Sequence, residues 1–509
     1  MEAEMSNQQR KIQRGWLFWH QWIGVIACIG MVLWGLSGAS HPMMSRLQPA
    51  PRQFMPPLQA VDLRQAVPLP AILQQQAITQ FQHISLVSLA GQGYYRIALP
   101  NADPRYFSVT SGAERVGAEQ AAAKSLANYY SGLQAQSIRA VQAVSEFEPD
   151  YHPVNRLLPV WKVAYADAAG LRAYVDTEQS RLATLVDDRR AFLTKVFQFG
   201  HNWSFLQACS TLQLAAATLV LVLILASAVT GIILYIKQRK TAPYRLKRWA
   251  LQWWHREFGL WVSLVILLLA STGLFHLWMS DIQQRRPILH TVFASDSAAL
   301  SETAWSQLAT GPVLKLDIYG RGSTLFWQII PVSSGTQGLP SAQVAAMHQH
   351  HQQQGQHQHD QHHAAMSHAP AAPALWFTGP HEVTALTPEA YASAWLTIMA
   401  ENTLPAIASV QWITTFANEY GFVFKRLPVL KVQTTQAHHA RFYLEPATGA
   451  LAANIDDTDG MEGFIFAYLH KWSFQSVNKD VRDLLAIFAA LAVSLTGLLG
   501  AYLFARKRS

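Results

Sequence analysis

The 509-residue chain is poor in cysteine and in charge: it has two cysteines, Cys28 and Cys209, and 14% charged residues, where an ordinary globular domain has about 25%. Two cysteines in or beside apolar runs make no disulfide framework, so the polar parts of the chain must be held by packed cores. Little charge in a half-hydrophobic chain excludes disorder and argues against a purely soluble enzyme. A Gly-rich dinucleotide fingerprint is also missing, which excludes a built-in nicotinamide or flavin domain of that type. What is present is four apolar runs, Trp16–Ser40, Leu212–Ile236, Phe258–Ser280 and Leu484–Phe504, free of Asp, Glu, Lys and Arg after their first turn. Each is about 20 residues long, enough to cross a bilayer. The sequence reads as a polytopic membrane protein.

The net charge of +8 does not indicate a nucleic-acid partner. Residues 1–16, 237–257 and 505–509 hold thirteen Lys and Arg against three Glu, so the excess is confined to short flanks of the apolar runs. By the positive-inside rule these flanks are cytoplasmic. The expected layout is a cytoplasmic N-terminus (1–15), a first span (16–40), an exported α+β domain (41–211), a second span (212–236), a basic cytoplasmic loop (237–257), a third span (258–280), a second exported α+β domain (281–483), a fourth span (484–504) and a cytoplasmic tail (505–509). The first span resembles a signal peptide but is too long and lacks a clear cleavage site, so it reads as an uncleaved anchor.

An internal duplication organises this layout. Tyr151–Leu206 aligns without a gap to Tyr420–Gln475 at an offset of 269, including Leu158-Pro159-Val160 with Leu427-Pro428-Val429 and His201-x-Trp203-Ser204-Phe205 with His470-x-Trp472-Ser473-Phe474. The first and third spans match at an offset of 235, through His20-x-x-x-Gly24 with His255-x-x-x-Gly259, Gly38 with Gly273 and His41 with His276. The halves thus have parallel topology, with a pseudo-twofold axis along the membrane normal. Most of the 34-residue difference between the offsets is a low-complexity insert, 343–373. In the exported parts, strands are expected over Arg156–Ala166, Leu171–Thr177 and Arg181–Val186 and a helix over Val116–Ser131. Asp187-Asp188 and Asp456-Asp457 read as turn residues.

Eight of the 20 histidines lie in the insert: His348, His350, His351, His357, His359, His362, His363 and His368, which could bind a divalent metal loosely. Six more form three repeat-matched pairs, His20/His255, His41/His276 and His201/His470. His20 and His255 open the first and third spans, and His41 and His276 close them 21 residues later, about 31 Å along a helix and near the same face. His201 and His470 precede the second and fourth spans, so one surface carries four candidate ligands and the other two. Facing imidazoles in a bundle suit a six-coordinate haem iron, with the nearby glycines leaving room for a flat macrocycle. Such a site has no open position and favours electron transfer.

These motifs resemble the PepSY-associated transmembrane helix family, which includes ferrisiderophore reductases. The likeness is carried by His20-Gln-Trp-Ile-Gly24 and His255-Arg-Glu-Phe-Gly259, Ser37-Gly38 and Thr272-Gly273, the two Leu-Pro-Val strands, the His-x-Trp-Ser-Phe motifs, and Thr230-Gly231 and Thr496-Gly497. The resemblance implies four membrane helices with periplasmic PepSY-type domains, two or three haem b groups, and reduction of ferric iron in imported siderophores. Arg256-Glu257 departs from Gln21-Trp22 of the first motif, and the insert leaves the identity of the metal complex open. The expected partners are the lipid bilayer of the inner membrane, a ferric siderophore or other periplasmic metal complex, and quinol or a separate reductase as donor. The outer histidines allow one haem on the axis or two off it, pairing His41 with His201 and His276 with His470. Two other classes remain in view, a metal or proton transporter and a non-enzymatic metal-binding or regulatory protein.

Overall fold

The computed structural model describes residues 2–241, 251–284, 293–332, 373–378, 383–399, 406–417, 419–436, 438–474 and 477–508. The helices are α1 (Glu2–Leu47), α2 (Leu69–Gln75), α3 (Ala118–Ser131), α4 (Asp188–Gly200), α5 (Ser210–Thr241), α6 (Leu251–Gln284), α7 (Glu302–Leu308), α8 (Pro388–Met399), α9 (Asp457–Phe464) and α10 (Lys479–Arg508). The chain divides into two compact units: residues 1–48, 189–286 and 459–509 form one, and residues 49–188 and 287–458 the other.

The first unit contains the four helices long and apolar enough to cross a membrane: Arg14–Leu47, Ser210–Lys237, Leu251–Gln283 and Lys479–Lys507. Each runs beyond the apolar stretch read from the sequence. His41 and His276 therefore do not close their helices; α1 continues to Leu47 and α6 to Gln284. α1 packs on α5 and α10, and α6 packs on the same two, which makes α1 and α6 the diagonal pair. Missing side chains set how closely α1 approaches its neighbours. A Cβ on Gly35 would stand 2.6 Å from the Ala490 carbonyl oxygen of α10, and one on Gly30 would run into Val220 of α5. Between the helices Ala27, Met31, Ile224, Ala228, Val262, Ile266 and Ala492 form an apolar core. Arg46 of α1 closes one end by pairing with Asp480 and Asp483 of α10.

The second unit is α+β, and the duplication is explicit in it. One four-stranded antiparallel sheet runs Ile138–Val144, Val160–Tyr165, Arg172–Asp176, Arg181–Val186; the other runs Ile407–Ile413, Val429–Thr434, Arg441–Glu445, Ala450–Ile455. Their registers coincide under the 269-residue offset, with Trp161 opposite Val175 and Leu430 opposite Leu444. α3 covers the first sheet through Ala123, Leu126, Ala127 and Tyr130, one helical face. It stops at Gly132, whose φ of 73° supplies the left-handed cap and whose N–H returns to the Asn128 carbonyl. α8 covers the second sheet in the same way through Tyr391, Trp395 and Leu396.

The sequence reading did not foresee that the halves also share a sheet. Eight strands join, in the order Val383–Leu386, Ala374–Thr378, Thr324–Pro331, Pro312–Arg321, His83–Leu89, Gln92–Leu99, Ala102–Ser108, with Val61–Asp62 added beside Pro312–Val313. The seam pairs Asp317, Ile318 and Tyr319 of the second half with Ser85, Ile84 and His83 of the first. The segments expected to be separate exported domains over 41–211 and 281–483 are thus one body for most of their length. One face of this sheet buries Ile84, Leu86, Leu316, Ile318 and Trp327 against α2 and α7.

On the seam the register aligns Arg96, Ser85, Asp317 and Gln328 in a buried polar row. His83 lies 3.1 Å from Glu178 and 3.4 Å from Asp317, and its Nε2 is 2.9 Å from the Ala447 carbonyl oxygen. Asp188 and Asp457, expected in turns, instead open α4 and α9 and pair with Arg172 and Arg441, again at matching positions. A carboxylate in the first turn of a helix is favoured by the helix dipole.

Candidate cofactor site

α1 and α6 bring His20 and His255 together across the bundle, with ring centroids 6.3 Å apart and ring planes inclined at 45°. With metal–imidazole bonds of about 2 Å, two imidazoles trans on one metal have centroids roughly 6 Å apart, so the spacing suits a shared metal. Each ring lies over bare backbone. A Cβ on Gly231 of α5 would be 3.1 Å from His20 Cε1, and a Cβ on Gly500 of α10 would be 3.1 Å from His255 Cε1. Of the glycines expected to leave such room, Gly273 faces the His470 ring, where a Cβ would be 3.4 Å from Cε1, but Gly24 and Gly259 do not face the rings of His20 and His255. Gly24 faces Ser227 of α5 and Gly259 faces Thr496 of α10, so both serve helix packing. By the same contacts Ser227 and Gly231 correspond to Thr496 and Gly500, at the offset of 269, so Thr230-Gly231 and Thr496-Gly497 do not occupy equivalent positions in the duplication.

Hydroxyls fix which nitrogen of His20 carries the proton. Its Nδ1 is 3.1 Å from the Ser227 carbonyl oxygen and 3.1 Å from Thr230 Oγ1. A carbonyl oxygen only accepts, and Thr230 Oγ1 already donates to the Ala226 carbonyl at 2.8 Å. Nδ1 is therefore the N–H, and the Nε2 lone pair is left free for a metal.

The other end of the bundle repeats the device. His201 Nδ1 is 3.3 Å from Ser37 Oγ, which donates to the Leu33 carbonyl; His470 Nδ1 is 3.0 Å from Thr272 Oγ1, which donates to the Leu268 carbonyl. Ser37 and Thr272 correspond at the offset of 235, and each follows its inner histidine by 17 residues. Along a helix that is about 26 Å, shorter than the 31 Å to His41 and His276. Burial lowers the His201 pKa to about 3 and that of His470 to about 4, and the neighbouring imidazoles and Lys471 act in the same direction. Both shifts favour the neutral ring that ligation requires.

His41 and His276 are placed differently. Phe197 stacks on His201 at 4.6 Å and meets His41 at 5.6 Å; Phe466 stacks on His470 at 5.4 Å and on His276 at 4.0 Å. A phenyl ring thus contacts both members of each pair, His41 with His201 and His276 with His470. His41 is exposed, and His276 Nδ1 pairs with Glu462 of α9. Trp34 of α1 stacks on Trp203 at 4.9 Å and donates to the His201 carbonyl, so an aromatic contact adjoins the outer site.

Phe197 and Phe466 were legible as a match at 269, and Ser37 and Thr272 as a match at 235, but neither pair signalled a hydrogen-bonding role. Thr230, Gly500 and Glu462 gave no such signal, since each acts on a ring from another helix. The eight histidines of the insert, 348 to 368, lie outside the described residues. Among the described residues no three His, Cys, Asp or Glu side chains converge on a metal-ion position. The inner site offers two imidazoles, glycine-lined surfaces and a set tautomer, a donor set that fits a metal whose other positions a macrocycle fills.

Comparison with protein families matches residues 19–373, well over half of the chain, to the PepSY-associated TM region. The match includes His20, His41, His201, His255 and His276 and ends before His470. No curated protein matches the chain. With its four apolar helices and mixed α/β sheets, the chain belongs to the PepSY-associated TM region family and is a multi-pass membrane protein carrying PepSY domains.

Proposed function

We propose that this protein is a haem-dependent membrane reductase that delivers electrons from one side of the bilayer to a ferric complex on the other. The observation that supports this best is the His20/His255 pair, 6.3 Å apart on the diagonal helices, with the His20 Nε2 left free by hydrogen bonds at Nδ1. His20 and His255 would hold one haem b. His201 and His470, whose Nδ1 atoms are hydrogen-bonded in the same manner, are the main candidates for a second, with His41 and His276 beside them. Haem held there would supply one-electron exchange.

The chain's own residues orient and insulate. Thr230, Ser37 and Thr272 set imidazole tautomers, Gly231 and Gly500 keep side chains off the rings, and the apolar core between the helices excludes water. The basic flanks support an orientation with both termini in the cytoplasm and the PepSY domains in the periplasm of an inner membrane. The substrate class is a ferric siderophore or another periplasmic metal complex. One electron per ferric ion gives ferrous iron, which fits hard, anionic oxygen donors less well and leaves the chelate. The donor is quinol or a separate reductase.

Reoxidation tests the reading. Dithionite-reduced, purified protein is expected to show a haem spectrum that returns to the oxidised form on addition of a ferric hydroxamate or catecholate complex, with ferrous iron trapped by a ferrous-specific chelator. A reduced spectrum unmoved by every ferric complex tried would count against the reductase.

A further inference from the structure

The duplication makes the two inner histidines equivalent in position, and the structure makes them unequal in support. His20 is fixed through Nδ1 by the Ser227 carbonyl and Thr230 Oγ1. The residue that corresponds to Thr230 at the 269-residue offset is Leu499, which has no hydroxyl. His255 Nδ1 is buried and makes no hydrogen bond. Both rings are held against a glycine at the same distance, so the difference lies in the polar contacts and not in the space. His201 and His470 are likewise bound to a hydroxyl through Nδ1, so among these four imidazoles His255 alone lacks such support.

A second hydrogen bond behind a ligating imidazole fixes its orientation and raises the basicity of the ligating nitrogen, and losing such a partner typically costs 10- to 100-fold in metal affinity. A buried Nδ1 with no acceptor also leaves the tautomer unselected, so part of the population presents a protonated Nε2. We propose that His20 is the fixed axial ligand of the inner site and His255 the exchangeable one, with Thr230 as the positioning residue on one side and Leu499 leaving the other side unsupported. This rests on the reading of the inner pair as haem ligands. It adds that the site can open on the α6 side, toward a small exogenous ligand or a donor molecule arriving there, while the α1 side stays closed.

The test uses full-length protein in detergent, with haem quantified before and after gel filtration and carbon monoxide titrated onto the dithionite-reduced form. His255→Ala is expected to retain inner haem in a five-coordinate, high-spin form, and His20→Ala to lose it. Leu499→Thr, which installs the missing hydroxyl, should weaken carbon monoxide binding by roughly 10-fold, and Thr230→Val should strengthen it. Leu499→Thr is a small change on a helix and guards against misreading a folding failure in the alanine variants. Equal haem retention in His20→Ala and His255→Ala, or unchanged carbon monoxide affinity in Leu499→Thr, would overturn the proposal while leaving the haem reading intact. Wild-type protein without haem would overturn both.

Discussion

At the scale of single residues the bundle depends on what stands behind each imidazole. A serine or threonine on a helix donates to the carbonyl one turn back and so presents only lone pairs, which is why Thr230, Ser37 and Thr272 can accept from a histidine Nδ1–H. Glycine serves the same sites by omission. Gly231→Leu is predicted to push His20 off its position, because even a Cβ would reach 3.1 Å from the ring, and to bleach or shift the haem spectrum of otherwise folded protein. Gly24→Ala should leave that spectrum unchanged, since its nearest neighbour is Ser227 Oγ at an ordinary 3.5 Å. A visible spectrum of each variant, with gel filtration to confirm folding, checks the pair.

At the scale of elements the helices and strands were largely readable from periodicity. The strands expected over Arg156–Ala166, Leu171–Thr177 and Arg181–Val186 are found at Val160–Tyr165, Arg172–Asp176 and Arg181–Val186, and α3 begins two residues inside the expected helix. The apolar runs are shorter than the helices because charged residues such as Asp483 and Arg506 mark the limit of the run Leu484–Phe504 but not of the helix, which continues from Lys479 to Arg508. Less visible was anything that depends on two elements meeting. The alternation of Ile84, Leu86, Ile97, Leu316 and Ile318 marks strands with one apolar face, but nothing in it says that His83–Leu89 will pair with Pro312–Arg321 more than 200 residues away. The three histidine pairs were legible because the duplication repeats them; their ring partners were not. One prediction belongs here: α1 crosses α10 at Gly35 so closely that Gly35→Leu would meet the Ala490 backbone. It should lower the melting temperature of the detergent-solubilised protein, with a cost of about 1–3 kcal/mol or more, whereas Gly15→Ala, with open space around it, should not.

At the scale of the whole molecule the two halves of the PepSY unit are locked together by charge as well as by the shared sheet. His83 and Glu178 come from the first half, Asp317 and Ala447 from the second. Burial alone lowers the His83 pKa, but the Glu178 and Asp317 carboxylates more than reverse this and raise it to about 9, while the His83 charge holds Glu178 low against its own burial. A histidine whose folded pKa is raised stabilises fully below its ordinary value of 6.5, and that contribution disappears as the pH rises toward about 9. Wild-type melting temperature should therefore fall across this window, and His83→Gln should start lower and fall less; an unchanged pH profile in the variant would mean that the charge plays no part. Deletion of 343–373 tests the histidine-rich insert in the same preparation. Because it is an addition to a duplicated scaffold, haem content and reduction of a ferric chelate are expected to survive the deletion, and loss of either would give the insert a direct role.

The central claim concerns His20 and His255, and haem content measures it most directly. Full-length protein purified from the membrane, and its His20→Ala, His255→Ala double variant, would be compared by pyridine haemochrome assay and reduced-minus-oxidised spectra. The account predicts a Soret band and sharp α-band in the wild type, and in the double variant loss of the inner share of the haem with the outer share retained. A wild type without haem, or a double variant with undiminished haem and the same spectrum, would contradict it.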